Sequence, residues 1–536
     1  MRTQLVSTVV LALLAGVTQA QTAARPEKPQ VTLGADIKQL LFNWEPVAGA
    51  TYYQLYVLYP GTRHFVPQGE RLPATQTQLA LPLALHLHNW ERTFYIIGAC
   101  NSAGCTSSTG MNPRPVLLDA IGYLKASNFE PDDTFGGNVV LSSDGYTLAV
   151  TAPGEASSAT GVGGNQADNG APFSGAVYVF RRRGNEWEQE AYIKAGVSKQ
   201  GLGFGSSVIS SDHAVALSGD GSILAAAAPY EKVGGAVTGT VYIYRRFRNT
   251  WTMVQKLSPP APKDNSFFGF SIDMSRDART IKVSSIDYSR TQDLNYPYVY
   301  THIYVKGETR WERATTLEPF YAGDKCQAAR LDALGQTLVS ACYSEATGGA
   351  RIVTMKGAGA NWMHADDQAL GARVREPIAI NADATWLAVR QRQEPPIFVH
   401  LFRWTAGQWE PSGVIPAIPS LDPYGTYGWG WLNAISDDGR LLAISDSTAN
   451  EVGAGVSATP KIAGIRDPLN IGAIYIYERG ATPDSWTLRN VVKSRDPAHD
   501  TSFAIAMSLS ASGRTLAVGA GYESGGAHRS GAVYLY

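Results

Sequence analysis

The amino-acid sequence predicts an all-β protein: a seven-bladed β-propeller preceded by a small β-sandwich. Strand-forming Val, Ile, Tyr and Trp residues alternate with Gly, Asp and Ser turns, and segments of helical periodicity are missing. A pattern of two apolar strands joined by a tight turn recurs seven times. A chain of 536 residues is also too long for one ordinary core, which favours several domains or one large repeat architecture.

The N-terminal segment is typical of a secretory signal peptide. Arg2 precedes an apolar stretch that ends in small residues before Gln21. This pattern predicts a signal peptide over residues 1–20, cleaved after Ala20, and a linker over 21–30. The residue after the cleavage site is not Cys, so we expect no lipid anchor. The mature protein is therefore predicted to be secreted or periplasmic.

Charge and hydropathy exclude two classes of partner. The formal net charge is −1 and no run of Lys or Arg occurs. Nucleic-acid binders and proteins of anionic membrane surfaces need a strong basic excess, so we expect neither partner. No apolar run beyond the N-terminal segment approaches the thickness of a bilayer, so no membrane insertion is expected.

The four cysteines suit an exported protein, because disulfides persist outside the reducing cytosol. Cys100 and Cys105 bracket a hairpin-like turn. Cys326 and Cys342 lie at equal distances from Leu334, which places them opposite each other on neighbouring antiparallel strands. The sequence therefore predicts two local disulfides, and no C-x-x-C motif of a redox or zinc site is present.

Residues 31–112 contain short alternating strands that predict a β-sandwich. The motif W-x-P-V-x-G-A-x-x-Y-x-L begins at Trp44, and Y-x-I-x-A-x-N-x-A-G begins at Tyr95. Together they resemble a fibronectin type III module. The resemblance implies that Trp44 and Tyr95 are core residues rather than ligand contacts. A link containing two prolines, MNPRPVLLD, separates this module from residues 117–536.

The repeat occupies residues 117–536. Each copy is an apolar strand, a tight turn rich in Asp and Gly, and a second apolar strand. The seven copies are Leu141–Pro153, Leu217–Pro229, Met274–Ile286, Leu331–Tyr343, Ile380–Arg392, Ile435–Ser447 and Leu509–Gly521. A third strand follows each copy, and six of the seven have a fourth strand that opens with a tryptophan: Trp187, Trp251, Trp311, Trp362, Trp409 or Trp486. Seven such four-stranded units predict a seven-bladed propeller.

The last copy has no fourth strand of its own, because the sequence stops at Tyr536. Residues 119–127, DAIGYLKAS, match the segments that follow Trp187 and Trp251. We therefore expect residues 119–127 to supply the fourth strand of the seventh blade. That pairing closes the ring and removes two open sheet edges.

The repeat resembles the FG-GAP family, known from the head of integrin α subunits and from secreted bacterial proteins. Phe-Gly pairs stand at Phe135, Phe204 and Phe268, with weaker forms at Trp429 and Phe503. Blades of this family often carry a calcium loop of the form D-x-D/N-x-D-G. The turns of this chain, such as SSDG and SDDG, have too few carboxylates for that cage. Their aspartates are therefore interpreted as turn residues, and no cofactor is expected, with calcium in a blade turn as the alternative.

Candidate ligand-binding residues cluster on loops of blades six, seven and one, which ring closure makes neighbours. The loop joining the second and third strands is long in the first blade, over residues 154–174, and in the sixth, over 447–471. The polar candidates on these loops and on the shorter loop of blade seven are Gln166, Asp168, Asn169, Arg466, Asp467, Glu523 and His528. The aromatic candidates are Tyr427 and Trp431, because exposed rings stack on sugars or proline-rich peptides. The alternatives are ordinary solvated loops and packing between blades.

Two functions follow from these features. The main prediction is an exported, non-catalytic recognition or adhesion protein that binds a protein or glycan ligand through this loop face, an expectation taken from the integrin resemblance. The alternative is a secreted carbohydrate-active enzyme, a hydrolase or lyase, or its accessory domain. Linear motifs of metalloproteases, serine hydrolases and nucleotide-binding proteins are missing, so no catalytic residue is predicted. Clustered carboxylates facing the central channel would favour the enzyme, whereas a channel lined by apolar strands and glycine would favour the binding protein.

Overall fold

Strands dominate the described structure. The computed structural model describes residues 23–208, 213–287, 298–318, 324–326, 329–344, 349–370, 374–391, 397–418, 428–462, 470–497 and 501–536. Within these ranges the helices are two short 3-10 turns, Leu85–Leu87 and Arg114–Val116, and one helix, α1, at Leu117–Ala120. The prediction of an all-β protein is confirmed. None of the helices in these ranges has the length and hydropathy of a membrane span. The predicted signal peptide lies outside the described residues.

The N-terminal part of the chain forms two antiparallel sheets. The seven strands are β1 (Val31–Asp36), β2 (Gln39–Trp44), β3 (Tyr52–Leu58), β4 (Val66–Pro73), β5 (Gln78–Pro82), β6 (Phe94–Asn101) and β7 (Gly104–Ser107). One sheet has the order β1-β2-β5 and the other β4-β3-β6-β7. Trp44 and Tyr95 are buried, with ring contacts to Tyr53 at 5.2 Å and Phe42 at 5.4 Å. Both predicted core residues therefore pack inside the protein.

The chain divides into two compact units. Of the described residues, one unit comprises those within 23–33, 42–79 and 93–112, and the other those within 34–41, 80–92 and 113–536. One boundary between the units lies after Asn112. The segments 34–41 and 80–92, which the sequence assigned to the N-terminal module, belong to the larger unit.

In the larger unit, α1 is followed by β8 (Gly122–Leu124), and the described strands of this unit form seven antiparallel sheets, which we number I to VII. Sheet I contains β9 (Asn138–Leu141), β10 (Thr147–Ala152), β11 (Ala176–Arg183) and β12 (Glu186–Ile193). Sheet II contains β13 (Val215–Leu217), β14 (Ile223–Ala228), β17 (Thr240–Phe247) and β18 (Thr250–Leu257), with a hairpin of β15 (Lys232–Val233) and β16 (Ala236–Val237) between its second and third strands. Sheet III contains β19 (Ile272–Met274), β20 (Thr280–Ile286), β21 (Val299–Lys306) and β22 (Trp311–Leu317).

Sheets IV to VII follow the same order of strands. Sheet IV contains β23 (Asp324–Cys326), β24 (Arg330–Leu331), β25 (Thr337–Ser344), β26 (Ala350–Ala358) and β27 (Asn361–Leu370). Sheet V contains β28 (Val374–Ile380), β29 (Trp386–Gln391), β30 (Phe398–Thr405) and β31 (Gln408–Pro416). Sheet VI contains β32 (Trp429–Ile435), β33 (Leu441–Asp446), β34 (Val456–Ser457), β35 (Ala473–Arg479) and β36 (Trp486–Val492). Sheet VII contains β37 (Phe503–Leu509), β38 (Leu516–Ala520), β39 (Ala532–Leu535) and β8.

The first strands of the seven sheets contact one another in cyclic order. β9 contacts β13, β13 contacts β19, and the series continues through β24, β28 and β32 to β37, which contacts β9 again. The turns between first and second strands are linked in the same order by hydrogen bonds. The linked residues are Ser143 and Asp144, Gly219, Arg276, Ala333, Asn381 and Ala382, Asp437 and Ala511, with donor–acceptor distances of 2.8 to 3.4 Å. The first strands therefore surround a common centre, and we call their surface the inner wall.

The segment before the repeat pairs with the last strand of the chain. β8 is antiparallel to β39, with Tyr123 opposite Tyr534. Extended structure is shorter than the expected 119–127, because α1 occupies Leu117–Ala120 and follows a 3-10 turn that contains a proline. The pairing gives sheet VII its fourth strand.

The Phe-Gly pairs connect neighbouring sheets. The backbone N–H of Phe135 donates to the carbonyl of Ser530 at 3.0 Å, and Phe204 makes the same bond to Ser174 at 2.8 Å. The glycine after each acceptor, at Gly531 and Gly175, lies so close to the Phe backbone that a Cβ atom would come within 2.2 Å of its carbonyl oxygen. Both glycines have a positive φ. Glycine is therefore required sterically at these junctions.

Both predicted disulfides are present. Cys100 is bonded to Cys105, and Cys326 to Cys342. Cys326 and Cys342 are register partners on β23 and β25, as the sequence predicted. Such bonds are typical of proteins exported from the reducing cytosol.

Candidate functional site

Three of the predicted polar residues meet at one segment of the chain, residues 127–134. The Gln166 side chain accepts a hydrogen bond from Ser127, and the Asn169 amide donates to the Glu130 carboxylate at 2.7 Å. From the loop of sheet VII, the His528 ring lies 3.2 Å from the Asp132 carboxylate. The loops of sheets I and VII are therefore joined through this connecting segment.

Asp168 belongs to the same loop as Gln166, but its carboxylate is bound within that loop. It accepts hydrogen bonds from the backbone N–H and the hydroxyl of Ser158, both at 2.5 Å. These bonds hold the pKa of Asp168 below its ordinary value. We expect Asp168 to shape the loop rather than to contact a ligand directly.

Glu523 does not present its carboxylate to solvent, which corrects the expectation from sequence. It is 9% exposed. Its carboxylate accepts hydrogen bonds from Lys125 at 3.1 Å and from the Tyr123 hydroxyl at 3.3 Å. Both partners come from the segment that pairs with the last strand. Glu523 therefore holds the fourth strand of sheet VII instead of binding a ligand.

Trp431 lies on β32, on the inner wall, and is half-buried. The Arg390 guanidinium lies 5.4 Å from its ring centre, within the range of a cation–π interaction. The neighbouring Asp446 is buried and accepts hydrogen bonds from the backbone and hydroxyl of Thr448 at 3.1 and 2.8 Å. Tyr427, Arg466 and Asp467 lie outside the described residues.

The pKa of Asp446 makes a testable contribution to stability. Burial raises the pKa of this carboxyl to about 7, although the Thr448 hydrogen bonds and Arg390 oppose the shift. The folded state therefore keeps the proton up to about pH 7, whereas the unfolded chain releases it near pH ~4. The contribution of protonated Asp446 to the free energy of unfolding of the wild type is therefore lost as the pH rises from about 4 to 7. We expect Asp446→Asn to become more stable relative to wild type across that window, by a few kcal/mol at most. Urea unfolding at both ends of the window measures the change, and a constant difference would contradict it.

The aspartates of the tight turns accept hydrogen bonds from residues of their own turns. The Asp144 carboxylate accepts hydrogen bonds from the Ser142 hydroxyl at 2.5 Å and the Tyr146 backbone at 2.9 Å. Asp220, Asp277, Asp383 and Asp438 repeat this arrangement. Such bonds stabilise a turn directly. Across the described ranges, acidic, histidine and cysteine side chains form no group that could hold a metal ion.

The inner wall carries a group of titratable side chains that was not predicted from the sequence. We call His213, Asp273, Lys282 and Arg330 the inner-wall cluster. Asp273 and Arg330 occupy the same register position in sheets III and IV. The other sheets carry small or apolar residues there: Val140, Ala216, Ala379, Ala434 and Ser508. Opposite Asp273 stands Lys282, where the other sheets have alanine or valine: Ala149, Ala225, Val339, Ala388, Ala443 and Ala517.

Asp273 holds the cluster together. Its carboxylate lies 2.9 Å from the Lys282 ammonium and 3.5 Å from the Arg330 guanidinium. The Lys282 side chain is fully buried, whereas those of Asp273 and Arg330 are 18% and 11% exposed. Burial alone would raise the pKa of Asp273, but Lys282 and Arg330 outweigh it and hold that pKa below its ordinary value. These three side chains carry two positive charges and one negative charge, with an accessible edge.

His213 lies beside this ion group in a defined tautomer. Its backbone carbonyl accepts a hydrogen bond from Ile272, the neighbour of Asp273, at 2.9 Å. Its Nδ1 lies 3.1 Å from Oδ1 of Asn138. An amide oxygen only accepts hydrogen bonds, so Nδ1 carries the proton and Nε2 keeps its lone pair. Burial, followed by the charge of Arg330, lowers the pKa of His213 to about 4. The ring is therefore a neutral base at physiological pH, with a partly exposed edge.

The signal for this cluster was present in the sequence. In the seven aligned copies, a lysine appears once at a position that otherwise holds alanine or valine. Each second strand has one aligned leucine or isoleucine, such as Ile281 and Leu338. The residue eight positions before it is charged only in the third and fourth copies, at Asp273 and Arg330. A departure from a repeat at an inner position indicates a local role, because the fold itself is satisfied by the common residue.

Comparison with known proteins finds resemblance in structure and none in sequence. No family model matches the chain, and no curated protein matches it. Hydrazine synthase of Kuenenia stuttgartiensis is 13% identical, with a TM-score of 0.45 over 74% of this chain and 96% of that chain. The periplasmic gluconolactonase of Pseudomonas aeruginosa is 14% identical, with a TM-score of 0.41 over 83% and 98%. Oligogalacturonate lyase of Vibrio parahaemolyticus is 10% identical, with a TM-score of 0.44 over 77% and 96%.

Proposed function

We propose that sheets I to VII are the seven blades of a single β-propeller of the FG-GAP type, and that residues 31–112 form a fibronectin type III-like module. The cyclic contacts of the first strands and the hydrogen bonds between successive turns support the closed ring. The pairing of β8 with β39 supports closure by the segment before the repeat. The signal sequence and the two disulfides support export to the periplasm or beyond.

We further propose that the protein is a secreted carbohydrate-active enzyme, a lyase that binds an acidic glycan at the inner wall. The observation that carries this proposal is the inner-wall cluster. It places a neutral imidazole beside two cations at positions where the other blades have small residues. The partly exposed Arg330 guanidinium places a cation where it can meet a carboxylate-bearing ligand. Trp431 adds an aromatic ring on the same wall for contact with a sugar.

The cluster has the groups that a β-elimination of a uronic acid requires. Arg330 pairs with the carboxylate of the sugar and makes the hydrogen on the adjacent carbon more acidic, because it offsets the charge that develops there. Nε2 of His213 takes this proton. The electron pair left behind forms a carbon–carbon double bond as the bond from the β carbon to the glycosidic oxygen breaks. That oxygen then takes a proton from water. Lys282, which is fully buried, positions Asp273 and does not touch the glycan.

The test is the release of unsaturated sugar from acidic polysaccharides. We expect purified protein to produce the ultraviolet absorbance of an unsaturated uronate from polygalacturonate, alginate or hyaluronan, and none from a neutral glucan. His213→Gln should lower turnover by roughly a hundredfold or more while binding is retained. Because the pKa of His213 is about 4, activity should fall only as the pH drops through that value.

Arg330→Gln is expected to lose both binding and turnover. Arg351→Gln is the matched control, because Arg351 pairs with Asp367 in the same sheet at 3.1 Å and away from the inner-wall cluster. If the wild type binds the polysaccharide without cleaving it, the protein would be a recognition protein and not an enzyme. Full activity in His213→Gln and Arg330→Gln would contradict the proposed site.

Recognition without catalysis is the second candidate. This function is favoured by the contacts that residues 127–134 make with Gln166, Asn169 and His528. At that segment, loops of two sheets present polar groups together. A protein or glycan ligand bound at this place would be lost in a variant with residues 154–174 shortened. The same variant would keep a ligand bound at the inner wall.

A further inference from the structure

Three aromatic residues from three successive sheets are connected through Gly203 and one ring pair. Phe173 precedes β11 of sheet I, Tyr230 follows β14 of sheet II, and Phe267 precedes β19 of sheet III. We call these three residues the aromatic patch. Phe173 is 58% exposed and Tyr230 is 37% exposed.

Gly203 joins the members of the patch. Its backbone N–H donates to the carbonyl of Phe173 at 3.0 Å. A Cβ atom at Gly203 would come within 2.7 Å of the Tyr230 ring, so this ring lies directly against the glycine backbone. Tyr230 and Phe267 form an edge-to-face pair with ring centres 5.5 Å apart. These contacts therefore connect the three segments that carry the patch.

Two members of the patch hold a strained backbone. Phe173 has φ +57° and Phe267 has φ +43°, in the left-handed region that bulky residues avoid. Sheets VI and VII place Asn470 and Arg529 at the position of Phe173. Sheet II places Gly203 at the position of Phe267, at φ +64°. Packing does not explain Phe173, because more than half of the residue is exposed. Asn470 and Arg529 also have a positive φ, so this conformation belongs to the junction, and the exposed ring is what distinguishes sheet I there.

Positive charge flanks the patch. Lys232 follows Tyr230 by two residues, and Lys199 belongs to the loop whose glycines bind the carbonyls of Pro172 and Phe173. Both lysines are exposed, and no carboxylate of the described ranges forms an ion pair with either. The nearby Glu231 is buried and lies 2.5 Å from Lys256. Exposed aromatic residues with lysines on the adjoining segments complement a chain of acidic sugars, whose ring faces stack on aromatic rings and whose carboxylates meet ammonium groups.

We propose that the aromatic patch, with Lys199 and Lys232, is a second subsite that binds an extended acidic glycan. The identity of the ligand rests on the proposed function, whereas the place of binding rests on the patch itself. A long chain would engage both this subsite and the inner wall. A disaccharide would engage the inner wall alone.

The test compares wild type with Phe173→Asn, using a disaccharide and an octasaccharide of galacturonic acid in calorimetry. Asparagine tolerates the left-handed backbone, so thermal unfolding should occur at the same or a higher temperature. We expect affinity for the octasaccharide to fall roughly tenfold and affinity for the disaccharide to stay unchanged. Lys232→Gln should reduce the salt dependence of octasaccharide binding. Phe247→Ala removes an exposed ring on another edge of sheet II and should change neither affinity.

The outcomes separate the subsite from the proposed function. Unchanged octasaccharide affinity in Phe173→Asn, with loss of all binding in Arg330→Gln, would overturn the subsite and keep the inner-wall site. Loss of octasaccharide binding in Phe173→Asn but not in Arg330→Gln would keep the subsite and overturn the inner-wall site. Equal losses for a neutral octasaccharide or a peptide would overturn the acidic-glycan assignment. If wild type binds neither acidic sugar, both proposals fail.

Discussion

Replacing Lys194 with Met is expected to destabilise the protein by about 3–5 kcal/mol, because the substitution leaves a buried carboxylate without its cation. The Lys194 ammonium lies 2.5 Å from the Glu155 carboxylate, and both side chains are 1% exposed. The ammonium also donates to the Ser174 hydroxyl at 2.7 Å, and the Tyr192 hydroxyl donates to Glu155 at 2.6 Å. Burial lowers the pKa of Lys194, although Glu155 opposes the shift. Chemical unfolding of the full chain measures the loss.

Sheet II supplies the matched control for this prediction. Lys256 pairs with Glu231 at the same 2.5 Å, but its side chain is 38% exposed. Glu231 is 6% exposed and keeps a hydrogen bond from the Tyr242 hydroxyl at 2.8 Å, whereas Lys256 is partly hydrated, so we expect a smaller loss from Lys256→Met than from Lys194→Met. The double variant of Glu155→Gln with Lys194→Met should recover much of the stability, because it buries no unpaired charge. Equal losses in the two lysine variants would show that burial does not set the strength of these pairs.

These ion pairs explain why part of the candidate site could not be predicted from the sequence. Glu155, Glu231 and Glu523 each follow a second strand by a few residues, where a polar loop is expected. Their lysine partners lie far away in the chain, and for Glu523 the partner is Lys125, 398 residues earlier. A charged residue on a loop is usually solvated, so a pattern of single residues assigns Glu523 to the surface. Only the closed pairing of β8 with β39 brings Lys125 to it.

The fold was more predictable than the site, because strand signals are local. The seven apolar pairs, their tight turns and the fourth strands with tryptophan all appear where the sequence placed them. Trp187, Trp251 and Trp409 are buried in the cores between sheets. The equal spacing of Cys326 and Cys342 about a turn was sufficient to predict their bond. The chemistry of the inner-wall cluster depends instead on which residues depart from the repeat, as Asp273 and Arg330 do.

Gly531→Ala is expected to cost about 3 kcal/mol or more, because the added methyl group collides with backbone that cannot move aside. The Cβ atom would lie 2.0 Å from the carbonyl oxygen of Phe135, at the junction between sheets VII and I. Gly161→Ala is a control with nearly the same backbone: its φ is +73° against +79° at Gly531, and no atom lies within 4 Å of the position that its added methyl group would take. The control should therefore show only the cost of a positive φ, about 1 kcal/mol.

The two alanine variants distinguish the cost of a positive φ from the cost of the collision with Phe135, at the junction between sheets VII and I. If the close approach of Gly531 to Phe135 holds sheets VII and I together, hydrogen exchange in Gly531→Ala should accelerate first in β8, β9 and β39. Exchange in sheets III and IV, on the other side of the ring, should change less. Equal destabilisation of both variants would mean that the positive φ alone explains the glycine. The Phe-Gly pairs would then mark turns and not junctions between sheets.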